Sequence, residues 1–198
     1  MWGVKDTILV GDVGGTNVRL GLADKDADGK IILTQFSKVR GDDVESLDDA
    51  IDQFLSETHF KPRHVCMALA GPVANGEVSL TNRQWHISET AMSKKFGFEN
   101  VRLYNDFTAM ARSIPELKSD DFRSLHKGKR VADKPVLVAG PGTGFGASTI
   151  INIKGRWHVI SGEGGHQAWA PQTAAETELL HILQKKNDFV SLELVSSG

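Results

Sequence analysis

The sequence predicts an α/β protein in two lobes, and three observations carry that prediction. Short apolar runs of strand length alternate with segments whose apolar residues recur at helical spacing. Each half opens on a strand, a Gly/Thr turn and a second strand. In the first half Ile8-Leu9-Val10 leads into Gly11-Asp12-Val13-Gly14-Gly15-Thr16-Asn17. In the second, Pro135-Val136-Leu137-Val138-Ala139 leads into Gly140-Pro141-Gly142-Thr143-Gly144-Phe145-Gly146. Between the halves, the stretch 116–134 is polar and irregular and reads as a solvated connection.

The elements follow in order. Strands are expected at 6–13, 18–24 and 31–37 as an antiparallel meander, separated by the turn glycines and by Asp26-Ala27-Asp28-Gly29. Leu47, Ile51, Phe54 and Leu55 place a helix over 47–58. A strand at 64–70 ends at Gly71-Pro72, and Val78-Ser79-Leu80 is a second, short one. Ser88 is the N-cap of the next helix and Gly97 marks its end. Val101-Arg102-Leu103-Tyr104 is a buried strand with Asn105-Asp106 at its C-terminal tip; Phe107, Met110, Ala111 and Ile114 then run at helical spacing until Pro115. In the second half, strands at 135–139, 148–153 and 157–160 precede the loop Gly162-Glu163-Gly164-Gly165-His166. Thr173 and Glu176 form a capping box for a helix carrying Leu179, Leu180, Ile182 and Leu183, and a last segment runs from Val190 to Gly198.

Composition narrows the function classes. With 198 residues, 40% hydrophobic and 24% charged, the chain reads as a soluble globular protein of one large or two small domains. A net charge of -2 gives no nucleic-acid footprint. No apolar run reaches membrane-spanning length and no secretory signal is visible, so no membrane partner is expected. The single cysteine, Cys66, suits a reducing compartment and reads as a small core residue.

The glycine turns point to phosphate chemistry. Glycine lets the backbone lie close to a bulky anion, and consecutive N–H groups in such a turn form an anion-binding concavity. Thr16 adds a hydroxyl, and Asp12 is placed to meet a phosphate-bound metal through water. This is not a Walker loop, because Val18-Arg19-Leu20 continues as strand where that motif opens a helix. An ordinary hairpin with an Asp-containing turn is the other reading. The second turn contains Gly142-x-Gly144-x-x-Ala147, but Ser148-Thr149-Ile150-Ile151 is β-branched strand rather than the helix a dinucleotide fingerprint requires. It therefore reads as a second strand–phosphate turn–strand hairpin.

Four further places carry polar chemistry. Asp106, at a strand tip and a helix start, either caps its helix or accepts a hydroxyl proton during attack on phosphorus. Glu163 and His166 suit a polyhydroxylated ligand; as a pair they are too few for a metal site. In Thr81-Asn82-Arg83-Gln84-Trp85, Asn82 is a ligand candidate and Trp85 a packing residue against the helix that starts at Ser88. Glu193, on its own, reads as a solvated helix carboxylate.

Taken in order, Asp12-x-Gly-Gly-Thr-Asn-x-Arg-Leu, Leu80-Thr81-Asn82-x-x-Trp85, Asn105-Asp106-Phe107, Gly140-x-Gly-Thr-Gly-x-Gly146 and Gly162-Glu-Gly-Gly-His166 closely resemble the bacterial-type glucokinases. That family lies in the sugar kinase/actin/Hsp70 ATPase superfamily. The resemblance implies an actin-like ATPase (ribonuclease H-like) fold of mixed sheets flanked by helices. It makes 1–110 a small lobe and 111–198 the first part of a large lobe left incomplete. It implies ATP and Mg²⁺, with Gly11, Asp12, Gly14, Gly15, Thr16, Asn17, Gly142, Thr143 and Gly144 on the nucleotide phosphates, and Asp12 meeting Mg²⁺ through water. It assigns glucose to Asn82, Asn105, Asp106, Glu163, His166 and Glu193, with Asp106 as catalytic base. It further implies a cytoplasmic enzyme, homodimeric at full length. The related repressors and open-reading-frame kinases carry a Cys-rich zinc motif after the Glu-x-x-His loop, where this chain has Gln167-Ala168-Trp169-Ala170-Pro171.

Family members are longer, and the adenosine-binding motif is expected beyond Gly198. Two expectations follow: a sequence from an ATP-dependent glucokinase, or a catalytically deficient fragment acting at most as a weak sugar-binding module. On either, helix 173–185 and strands 135–160 lack packing partners.

Overall fold

Period-two alternation of apolar residues builds the first sheet, and helices cover only the face that this alternation makes apolar. In the computed structural model, residues 7–80, 83–129, 131, 133–141 and 144–196 are described. The chain divides into two compact units, Met1–Asp106 and Phe107–Gly198.

In the first unit, β1 (Ile8–Val13), β2 (Asn17–Lys25) and β3 (Ile31–Arg40) form the expected antiparallel meander. Helix α1 (Leu47–Thr58) follows, its N-terminus capped by the Ser46 hydroxyl, which accepts from Asp49 N–H at 3.1 Å. Strand β4 (His64–Leu69) leads to a hairpin of β5 (Glu77–Leu80) and β6 (Trp85–Ser88). Helix α2 (Glu89–Phe96) is capped by Ser88 and ends at Gly97, which takes the left-handed conformation (φ 74°). Strand β7 (Asn100–Asn105) completes a five-stranded sheet of order β3-β2-β1-β4-β7, in which β1, β4 and β7 run parallel.

Register turns the alternation into columns across the sheet. Leu22, Leu9, Val65 and Val101 line up in one, and Leu20, Gly11, Met67 and Leu103 in the next. Val18, Val13, Leu69 and Asn105 form the third. Their apolar members are buried against Leu47, Ile51 and Phe54 of α1 and Met92 of α2. Gly11 is the gap in the middle column: a Cβ there would overlap the Met67 sulfur and press on Leu20. Met67, fully buried, fills the space that Gly11 leaves.

One expectation is corrected here. Cys66 alternates with Val65 and Met67, so it faces the opposite side of the sheet and is only half-buried; that burial still pushes its thiol pKa up. Trp85 packs against the core as expected and also opens β6, opposite Leu80. Strand β5 matches the expectation from sequence, whereas β6 shows too little alternation to be read there, and it is preceded by Gln84 at φ 52°.

The second unit is entered by α3 (Asp106–Ser113), which tightens into a 3₁₀ turn at Ile114–Glu116 where Pro115 removes an N–H. Three antiparallel strands follow, β8 (Val136–Pro141), β9 (Phe145–Ile153) and β10 (Arg156–Gly162), in order β10-β9-β8. Ala111, Val138 and Ile150 are the buried core, with Phe107, Ile114, Val136, Trp157 and Val159 packed around them. Gly140 and Gly146 face each other across β8 and β9, and the Phe107 ring lies against both; a Cβ on Gly146 would fall inside the ring.

Helix α4 (Ala174–Gln184) has the expected capping box. The Glu176 carboxylate accepts from the Gln172 and Thr173 N–H groups at 2.6 and 3.0 Å, and these bonds hold its pKa below the usual carboxylate range. No residue of α4 is buried, and Leu137, Ile153 and Ile160 of the sheet are exposed. The last segment contains a short helix, α5 (Leu192–Ser196), which carries Glu193.

Two substitutions test this packing. Gly11→Ala is expected to lower unfolding stability in urea by about 1–3 kcal/mol, and Met67→Val in the same chain to recover part of it. Gly146→Ala is expected to expel the Phe107 ring at a similar cost of about 1–3 kcal/mol. Gly128→Ala, in open space, is the neutral control.

Candidate functional site

Three parallel strands end on one edge of the first unit's sheet. The third column places Val13, Leu69 and Asn105 in register at the C-terminal ends of β1, β4 and β7. The segments that leave this edge are the Gly14–Thr16 turn, the Gly71 turn and Asp106, so the register brings the turn and the expected base to one rim. Ligands in open α/β sheets bind outside such strand ends.

Within the rim, Asn105 is the polar member of an otherwise apolar column, and its side-chain amide donates to the Gly71 carbonyl at 3.2 Å. Asp106 is the first residue of α3, where a carboxylate is favoured by the helix dipole. In the turn, Gly14 N–H donates to the Asn17 carbonyl at 3.0 Å. Gly14, Gly15 and Thr16 form the turn, whereas Asn17 opens β2 and Gly11 lies inside β1. The absence of a side chain at Gly11 is accounted for by Met67. Asp12 lies on the opposite face from Asn105, paired with Arg19 of β2 at 2.5 Å.

Arg83 was not among the candidates, and the structure brings it to the turn. Its Nε donates to the Gly15 carbonyl at 2.9 Å and its Nη1 pairs with Asp42 at 3.1 Å. No sequence signal separates it from a surface arginine, since both partners are remote in the chain.

In the second unit, Glu163 follows β10, and its carbonyl accepts from His166 N–H at 3.0 Å in a 3₁₀ turn, Gly164–His166. The chain after it pairs with the last segment through an Ala168–Ser191 bridge and a Leu192 N–H bond to the Gln167 carbonyl at 2.8 Å. That pairing brings the Glu193 carboxylate to 3.4 Å from His166 Nε2. Glu193 is therefore not a solvated carboxylate but a half-buried one. It also accepts from Phe145 N–H at 3.5 Å and lies against Gly144 and Gly165, where a Cβ on either would crowd it. Glu163 and His166 are exposed. Asn82, Gly142 and Thr143 lie outside the described residues.

Among the described residues no group of three or more His, Cys, Asp or Glu is arranged to hold a metal ion. A Mg²⁺ carried mainly by phosphate oxygens needs only one or two protein carboxylates, and Asp12 beside the turn fits that demand. Among the described residues no helix is long and apolar enough to cross a membrane.

The glucokinase family model matches residues 9–198. A curated glucokinase of Yersinia pestis (strain Pestoides F) is 40% identical over 190 residues, spanning 96% of this chain and 58% of that relative. The chain thus spans under two-thirds of the length of the curated relative it matches. The crystal structure of a glucokinase from an Antarctic psychrotroph superposes with a TM-score of 0.80 at 38% identity, covering 98% of this chain and 61% of that one. The Balamuthia mandrillaris glucokinase, solved in complex with glucose, superposes with a TM-score of 0.74 over 98% of this chain and 60% of its own; at 22% identity it bears on the fold alone.

Proposed function

The chain belongs to the glucokinase family, and on that premise we propose that the protein it is part of transfers the γ-phosphoryl group of ATP to the 6-hydroxyl of glucose. The observation that carries this reading is the in-register ending of β1, β4 and β7, from which the Gly14–Thr16 turn and Asp106 both leave at one rim.

Asp106 accepts the proton of the 6-hydroxyl as that oxygen bonds to the γ-phosphorus. The bond from phosphorus to the bridging oxygen breaks, and ADP and glucose 6-phosphate are formed. Asn105 holds a sugar hydroxyl with its amide. Glu163, His166, Glu193 and Asn82 bind further hydroxyls, the carboxylates as acceptors and neutral imidazole as either partner. The N–H groups of Gly15, Thr16 and Asn17, with those of 142–144, receive the phosphates. Mg²⁺, when bound, would neutralise phosphate charge, and Asp12 would be the carboxylate that holds it, through water. A lone cysteine suits a cytoplasmic setting, and the family points to a homodimer at full length.

The direct test is a coupled assay of glucose 6-phosphate formation by the intact protein with ATP and glucose. Absence of turnover in folded protein would refute the reading. Asp106→Asn is expected to lower kcat by about two to four orders of magnitude while glucose affinity, measured by calorimetry, stays near wild type. Glu163→Gln is expected to weaken glucose binding by roughly tenfold, because a hydrogen bond to a charged group becomes a neutral one. An unchanged affinity would remove Glu163 from the sugar site.

A further inference from the structure

The Arg83 side chain is 10% exposed and sits against the first glycine turn. Nε donates to the Gly15 carbonyl at 2.9 Å and Nη2 reaches the Thr16 carbonyl at 3.4 Å. Nη1 pairs with Asp42 at 3.1 Å, and the guanidinium lies over the Trp85 ring, 5.4 Å from its centroid. Buried Gly41 packs on the same group, where a Cβ would overlap it, and gives its own N–H to the Thr16 carbonyl at 2.9 Å. The cation is thus fixed on four sides: by two carbonyls, a carboxylate, an indole and a bare glycine backbone.

A trans peptide holds its C=O and N–H on opposite sides of the chain. Bonding the Gly15 and Thr16 carbonyls to Arg83 therefore turns the Thr16 and Asn17 N–H groups away from it. Released from Arg83, the Gly15–Thr16 peptide is free to rotate and aim its carbonyl at an incoming anion, which would repel it; the Thr16 carbonyl keeps its bond from Gly41 N–H.

We propose that Arg83 is a positioning residue for the phosphate turn, one that orients the Gly15–Thr16 peptide so that the Thr16 N–H meets the triphosphate, without itself touching it. The proposal rests on the ATP-dependent reading above and assigns Arg83 to the phosphate side of the reaction rather than the sugar side. Lysine is no substitute, because a single ammonium cannot span both carbonyls and Asp42 in one plane.

The test uses the intact protein with Arg83→Lys, Arg83→Met and Asp42→Asn. Calorimetry gives affinities for Mg·ATP, inorganic tripolyphosphate and glucose, and amide hydrogen exchange follows Thr16 and Asn17. Arg83→Lys and Arg83→Met are expected to weaken ATP and tripolyphosphate by about tenfold and to speed exchange at the Thr16 amide more than at Asn17, whose peptide Gly41 still holds, with glucose affinity kept within about twofold. Asp42→Asn, exposed at the outer end of the fork, is expected to move the same readouts in the same direction by less, and it serves if Arg83→Met does not fold. Unchanged ATP affinity in folded Arg83→Lys overturns the proposal. So does a loss of ATP and glucose affinity together, in step with a lowered Tm, because that is what a merely structural residue gives. Wild-type protein that binds tripolyphosphate but forms no glucose 6-phosphate refutes the kinase reading alone, and Arg83 is then judged by tripolyphosphate affinity. Wild-type protein that binds neither anion overturns both.

Discussion

The common ending of β1, β4 and β7 is the constraint on which the first unit depends. Parallel strands need crossovers, and here α1 and the segment containing α2 supply them and cover the apolar face. Because Leu9, Met67 and Leu103 must meet the same helices, the strands cannot slip by one residue without turning that face to water. The same lock fixes what leaves the sheet: a glycine turn after β1 and a carboxylate after β7. Core packing thus sets the placement of the rim before any ligand is involved.

Glycine plays two distinct parts in this chain. In the Gly14–Thr16 turn it lets the backbone bend between β1 and β2. At Gly11, Gly140 and Gly146 it makes room for a neighbour, Met67 in the first unit and Phe107 in the second. Phe107 directly follows Asp106, so the pocket formed by Gly140 and Gly146 anchors the first turn of the helix that the proposed base begins. In the second unit, therefore, Gly140 and Gly146 serve packing.

Charge is handled differently in the two units. In the first, Arg83 is held by carbonyls, Asp42 and Trp85, all within one unit. In the second, Glu193 gathers contacts from His166 and the Phe145 N–H, drawn there by the pairing of the last segment with residues after the Glu163 loop. Both groups come from segments remote in the chain from those they touch, and both alter the neighbourhood of a glycine turn.

The sequence by itself determined the meander, the helices at 47–58 and after Ser88, the capping box at Thr173 and Glu176, and the order of motifs that marks the family. These depend on local properties: alternation, helical spacing, caps and turn residues. It also placed Asp106 at a strand tip, because an apolar run followed by Asn-Asp and a helical pattern has few other readings. Only the tertiary structure decided that Cys66 faces away from the core, that Trp85 opens a strand, that Gly11 is a packing gap, and that Arg83 and Glu193 reach the glycine turns. Each of those facts depends on which remote residue fills the space beside it, and side-chain contacts across tens of residues leave no period in the sequence to read.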